Sequence, residues 1–225
     1  MTGDASGTVN LIFAGVGGQG VLLIAELAAE TALRAGYDVK QTEVHGVSQR
    51  GGSVESHVRF GAEIHSPLVM AGEADVVVGL EKLEALRFAH TLRAGPPGGP
   101  DQRPIRAGPP AGILLVNEHE IIPASVVDAA DRYPHHAVEF LLDRGVPVIG
   151  LPASAWARDL GDGRMANLVM LGALSALLTL PEDLWAEQLQ QRLPERIREA
   201  NVSAFTRGRD HVRTRLGAAL AAEGG

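Results

Sequence analysis

Six residues constrain this chain more than any others: Gly15-Val16-Gly17-Gly18-Gln19-Gly20, lying between the apolar run Val9 to Ala14 and a helical pattern from Val21 to Ala35. A strand, a glycine-rich turn and a helix in that order form the first half of a nucleotide-type α/β unit. Glycine is needed because the chain reverses sharply, its backbone must come close to whatever binds there, and the helix must pack tightly on the strand. The amides at the helix start then face outward with partial positive charge and favour an anionic group. The turn also fits G-x-x-x-x-G, but Val21 stands where a P-loop needs lysine, which argues against an NTPase. Two readings stay open: a site for a phosphate-bearing ligand, or glycines that only let strand and helix pack.

The rest of the chain extends the α/β pattern. Strands are expected over Tyr37 to Val44, Val54 to Phe60, Ala74 to Leu80, Ile113 to Asn117 and Val146 to Gly150. The Val54 to Phe60 run alternates and predicts a half-exposed strand, whereas Ala-Asp-Val-Val-Val-Gly-Leu at 74–80 predicts one buried on both faces. Helices are expected over Glu81 to Arg93, Ala137 to Arg144, Ala155 to Leu160, Met165 to Leu180, Glu182 to Arg192 and from Pro194 onward. In the stretch Gly95 to Gly112, 11 of 18 residues are Gly or Pro, so it reads as a flexible insert. The expected fold is therefore α/β: a Rossmann-like open sheet, mostly parallel, with a helical C-terminal part over about 165–225. One domain is expected over 1–225.

Composition narrows the function. A net charge of −7 argues against nucleic acid as the main partner. No signal-peptide pattern and no apolar run of membrane-spanning length (about 18–20 residues) is present, so a cytoplasmic location away from membranes is expected. The chain has 0 cysteines, so it can supply no disulfide, nucleophilic thiol or cysteine ligand to an iron–sulfur cluster. If it takes part in electron transfer, the redox centre lies elsewhere.

Several motifs, taken in chain order, carry a resemblance. Gly-Val-Gly-Gly-Gln-Gly at 15–20 is followed by Glu-Val-His-Gly-Val-Ser-Gln-Arg-Gly-Gly-Ser-Val-Glu-Ser-His-Val-Arg-Phe-Gly at 43–61. Tyr133-Pro134, Asn-Leu-Val-Met-Leu-Gly-Ala-Leu at 167–174 and Asn-Val-Ser-Ala-Phe-Thr-Arg-Gly at 201–208 complete the set. Together they resemble the γ-type subunit of 2-oxoacid:ferredoxin oxidoreductases, in particular the small subunit of the indolepyruvate type. The resemblance implies a complex that oxidatively decarboxylates aryl 2-oxoacids, uses coenzyme A and reduces ferredoxin. It implies thiamine diphosphate and [4Fe–4S] clusters on a large partner subunit, none of them held by this chain alone. The lack of cysteine agrees with that division.

The candidate cofactor-binding residues are Gly15, Gly17, Gly18, Gln19 and Gly20, joined by Gly51 and Gly52, which allow close backbone approach. The candidate catalytic residues are His45, Ser48 and Arg50, on a loop reaching toward the partner's active site. There Arg50 would pair with a carboxylate or phosphate in bidentate fashion. The alternative for this loop, which also holds Gln49, is packing by its own hydrogen bonds. Ser48 is not a hydrolase elbow, because Arg50 breaks the G-x-S-x-G frame. His45, His57 and His65 lack metal-ligand spacing, so no metal is expected. A competing reading is a stand-alone NAD(P) enzyme, with Glu43, 23 residues after Gly20, as the ribose-binding acid. Asn167 is expected to cap a helix or make a polar contact, and Gly172 to permit close helix packing.

Overall fold

The computed structural model describes residues 7–45, 52–94, 111–122 and 133–223. Among these residues, six strands form one open sheet: β1 (Val9–Val16), β2 (Asp38–His45), β3 (Ser53–Gly61), β4 (Val76–Gly79), β5 (Ile113–Asn117) and β6 (Val148–Leu151), in the order β2-β3-β1-β4-β5-β6. The strands β1, β4, β5 and β6 are parallel. β3 runs antiparallel between β1 and β2. The Gly/Pro-rich insert falls, over 95–110, outside the described residues.

Among the described residues, seven α-helices cover the sheet: α1 (Val21–Arg34), α2 (Lys82–Phe88), α3 (Ala137–Leu142), α4 (Ala153–Asp159), α5 (Ala166–Leu177), α6 (Glu182–Arg192) and α7 (Glu195–Glu223). Strand side chains divide between two cores. Leu11 and Phe13 of β1, Val76 and Val78 of β4, and Ile113 and Leu115 of β5 join α1, α5, α6 and α7 in the larger one. Ile12, Val77, Leu114 and Val116 pack with α2 and α3 on the opposite face. Burial on both faces is why these strands are unbroken apolar runs.

β3 departs from the expectation of a half-exposed strand. Val58 and Phe60 face the larger core, but His57 on the other side is also buried. The following segment folds back across it: the Val69 N–H donates to His57 Nδ1 at 3.1 Å, and Arg59 donates to the carbonyls of Ser66 (3.1 Å) and Leu68 (3.0 Å). Burial holds the His57 imidazole below its ordinary pKa, against a smaller opposing pull from Glu55.

The expected helix over Glu81 to Arg93 is shorter. It begins after Glu81, whose carboxylate caps it, and gives way at Ala89–Thr91 to a 3-10 turn. At the C-terminal end, α5 lies against α7 at backbone contact. A Cβ at Gly172 would sit 1.8 Å from the Phe205 carbonyl oxygen, and one at Gly208 would sit 1.9 Å from that of Val169. The motifs at 167–174 and 201–208 are thus two halves of one contact, and the close helix packing expected at Gly172 is made against α7.

Candidate functional site

The carboxyl ends of β1, β4, β5 and β6 meet at one edge of the sheet, joined there by the β2–β3 connection. From β1 the chain leaves into α1 on the larger-core face; from β4 it leaves into α2 on the other. The gap between β1 and β4 is therefore a topological switch point, where open α/β sheets place ligands.

The glycine turn forms one wall. Gly18 and Gly20 have φ of 96° and 76°, a left-handed conformation that costs other residues strain. Gln19 locks the turn from inside: its Oε1 accepts the Val16 N–H at 2.7 Å and its Nε2 donates to the Leu80 carbonyl at 3.0 Å. Gly15 has no room for a side chain, since a Cβ would meet Gln19 Oε1 at 2.8 Å and Val21 Cγ2 at 2.9 Å. The Gly17 N–H donates to the Gly52 carbonyl at 3.0 Å, which ties the turn to the exit of the 46–51 loop. Gly20 caps α1 without a side-chain hydrogen bond, and no acidic residue lies in the first turn. The first-turn amides and the positive end of the helix dipole are left to attract negative charge.

Beside the turn is a crevice of about 210 Å³, bounded by Leu80, Asn117, His119, Ser154 and Asn167, with Arg164 at its rim. Asn117, at the end of β5, joins three strand ends. Its Nδ2 donates to the Leu80 carbonyl (3.1 Å) and to Ser154 Oγ (2.8 Å), while its Oδ1 accepts the Ser154 N–H at 3.1 Å. Asn167, in the first turn of α5, is only 6% exposed. It makes a polar approach to the turn, its Nδ2 lying 2.3 Å from where a Cβ on Gly20 would be. Its Oδ1 accepts the Leu168 N–H at 2.8 Å, whereas its Nδ2 has no hydrogen-bond partner among the described residues. An unpaired amide donor facing the crevice is a place for a carbonyl, carboxylate or phosphate oxygen.

The opposite wall is held by Glu81, which is buried. Its carboxylate accepts the Glu84 N–H at 2.9 Å, the Ile121 N–H at 3.2 Å and the Tyr133 hydroxyl. Burial, then this hydrogen bond, pushes the Tyr133 phenol above its ordinary pKa, so it remains a donor. Outside lies a chain of polar contacts: Lys82 Nζ meets Glu120 at 2.8 Å, and the other Glu120 oxygen meets His135 Nδ1 at 2.8 Å. The hydrogen bond from Lys82 is the main cause holding Glu120 below the usual carboxylate range. Ser53 Oγ donates to Glu84 at 2.5 Å, a second anchor for the loop exit.

The structure thus brings Gly15, Gly17, Gly18, Gln19, Gly20 and Gly52 together. His45 ends β2 at the same edge, paired with Val54. Ser48, Gln49, Arg50 and Gly51 lie outside the described residues. Sequence reasoning missed Glu81, Asn117, His119 and Ser154. The available signals were a carboxylate one residue before a helix and an asparagine closing a buried strand.

The nicotinamide reading finds no support in this geometry. A dinucleotide site needs its acid on the strand next to β1. Here that neighbour is β3, and Glu43 lies on β2, one strand further out, about 9.6 Å from β1 at roughly 4.8 Å per strand.

The family model described as pyruvate ferredoxin/flavodoxin oxidoreductase matches residues 10–211. The indolepyruvate oxidoreductase subunit IorB of Thermococcus kodakarensis is 34% identical over 215 residues, covering 92% of this chain and 98% of that protein. Among solved structures, the keto/oxoacid ferredoxin oxidoreductase gamma subunit from Geobacter sulfurreducens superimposes with a TM-score of 0.63 at 22% identity, covering 91% of this chain and 98% of that one. The 2-oxoglutarate:ferredoxin oxidoreductase from Magnetococcus marinus gives a TM-score of 0.67 at 20% identity, covering 93% of this chain but 31% of that one. These two show a shared fold, and in the second it occupies about a third of a longer chain.

Proposed function

The chain belongs to the pyruvate ferredoxin/flavodoxin oxidoreductase family, as a small subunit of the indolepyruvate kind, and from that premise we propose how its complex divides the work. An aryl 2-oxoacid loses carbon dioxide, its acyl carbon passes to the thiol of coenzyme A, and the two electrons released reduce two ferredoxins. The large partner subunit holds the thiamine diphosphate and the [4Fe–4S] clusters. Thiamine diphosphate, when bound there, supplies the electron sink for decarboxylation. This chain has 0 cysteines to ligate a cluster, and among the described residues no group of His, Asp and Glu is placed to hold a metal.

What the chain contributes is a donor-lined edge. The α1 amides and Asn167 Nδ2 suit an anionic or carbonyl-bearing part of coenzyme A or of the thiamine pocket. The loop of His45, Ser48 and Arg50 reaches the partner's active site, with Arg50 on a carboxylate or phosphate and Gly51 and Gly52 allowing close approach. The hydrogen bond from Gly17 to Gly52 supports this by anchoring the loop exit to the turn. Among the described residues no helix is long and apolar enough to cross a membrane, and the complex is proposed to work in the cytoplasm.

The observation that carries this reading is the match to an indolepyruvate oxidoreductase subunit over 92% of this chain and 98% of that protein, on a chain without cysteine. Its test is co-expression with the large subunit, followed by separation and assay of iron, sulfide and thiamine diphosphate in each. All three are expected in the large subunit alone. Iron and sulfide retained by this chain, or failure of the two to co-purify, would count against it.

A further inference from the structure

A second cleft, of about 460 Å³, lies beside the crevice, between the start of α1, the 160–165 turn and the first turns of α7. Its apolar walls come from Leu23, Leu160, Leu168, Leu193, Ile197 and Ala200. On its floor are Asn167 and Asn201, each only 6% exposed. The amide nitrogen of Asn201 is used by the Ile197 carbonyl at 2.7 Å, whereas that of Asn167 is unpartnered.

The rim is cationic. Two arginines near it are occupied within the chain, Arg164 with Asp162 and Arg192 with Glu26. Arg196, on the rim, has no ion-pair or hydrogen-bond partner among the described residues. An exposed, unpaired guanidinium beside an apolar cleft calls for a carboxylate attached to something apolar, and the chain's net charge of −7 makes this positive spot a local exception. The apolar lining reaches the outer surface at Ile197, which is 40% exposed. A surface wider than the cleft suits a macromolecule better than a small acid.

We propose that this cleft is the seat for the large subunit, taking one of its apolar side chains with a carboxylate next to it that pairs with Arg196. The proposal rests on the small-subunit reading above and goes beyond it by choosing the face. It fits the geometry, because the cleft shares Arg164 and Asn167 with the crevice, so a partner seated here lies against the glycine turn.

The test is hydrogen–deuterium exchange on the full chain, free and in complex with the co-expressed large subunit, together with the affinity of Arg196→Glu. Protection is expected over residues 160–168 and 193–201, and the charge reversal should weaken assembly at least tenfold. Arg144→Glu, in the turn just after α3 at the opposite face, should leave assembly unchanged. A stable complex in which the cleft segments exchange as in the free chain would overturn the choice of face and leave the small-subunit reading standing. If no complex forms at all, that underlying reading fails, and this one with it. Because the exchange comparison needs no substitution, it stands even if Arg196→Glu fails to fold.

Discussion

Replacing Gly20 by alanine tests whether the turn is built as described. At φ 76° the residue is left-handed, which costs an alanine about 1–2 kcal/mol. The new Cβ would also lie 2.3 Å from Asn167 Nδ2, more than 1 Å inside the normal separation of roughly 3.5 Å. Asn167 is buried against this turn and could escape only by leaving its rotamer, at about 0.5–1.5 kcal/mol. The sum is about 2–3 kcal/mol, a fall in melting temperature of roughly 5–10 °C for a chain of this size. Thermal unfolding followed by circular dichroism reads the single variant. The double variant with Asn167→Ala separates the two causes: the clash disappears, so Gly20→Ala should then cost only its backbone component, leaving a coupling of about 1 kcal/mol. A melting temperature within a degree of wild type, or strict additivity, would refute the reasoning.

Three further outcomes follow from the same geometry. Gly172→Ala or Gly208→Ala drives a methyl into a facing backbone carbonyl and should each cost about 3 kcal/mol or more, with loss of the near-ultraviolet signal of Trp185 and Phe205, which pack together between α6 and α7. Gln19→Ala strands the Val16 N–H and leaves the Leu80 carbonyl with Asn117 Nδ2 as its remaining side-chain donor, so it should destabilise by about 1–3 kcal/mol in denaturant titration. Burial raises the Asp75 carboxyl to about 6, against the Asn10 N–H and Arg93, which pull it down. Its folded pKa exceeds its unfolded one, so its contribution is complete below about pH 4 and is lost as pH rises through about 6; Asp75→Asn should remove that slope from the stability–pH curve.

Much of this structure could be read from residue patterns, but unevenly. The glycine turn and the two-face burial of β4 follow from spacing, because backbone sterics and burial act locally. The range Glu182–Arg192 of α6 coincides with its expectation, since Pro181 fixes the start. Alternation along β3 gives the face of each residue but not the neighbouring strand, so its antiparallel place between β1 and β2 was hidden. Nor could alternation foresee that the segment carrying Val69 would cover His57. The crevice residues depend on contacts distant in sequence: Tyr133 reaches Glu81 across 52 residues, and Asn117 reaches Ser154 across 37. Only topology brings such pairs together. Asn167 was legible as a polar contact, and its unpartnered amide became visible only once Gly20 was seen beside it.

Reconstituted turnover tests the central claim most directly. The chain alone, the large subunit alone and the two mixed are each supplied with indolepyruvate, coenzyme A and ferredoxin, and ferredoxin reduction is followed by absorbance. The account predicts reduction in the mixture, saturating at a fixed subunit ratio, and none from this chain by itself, with or without NAD(P)H. Hydride transfer by the isolated chain, or full activity of the large subunit without it, would contradict the account.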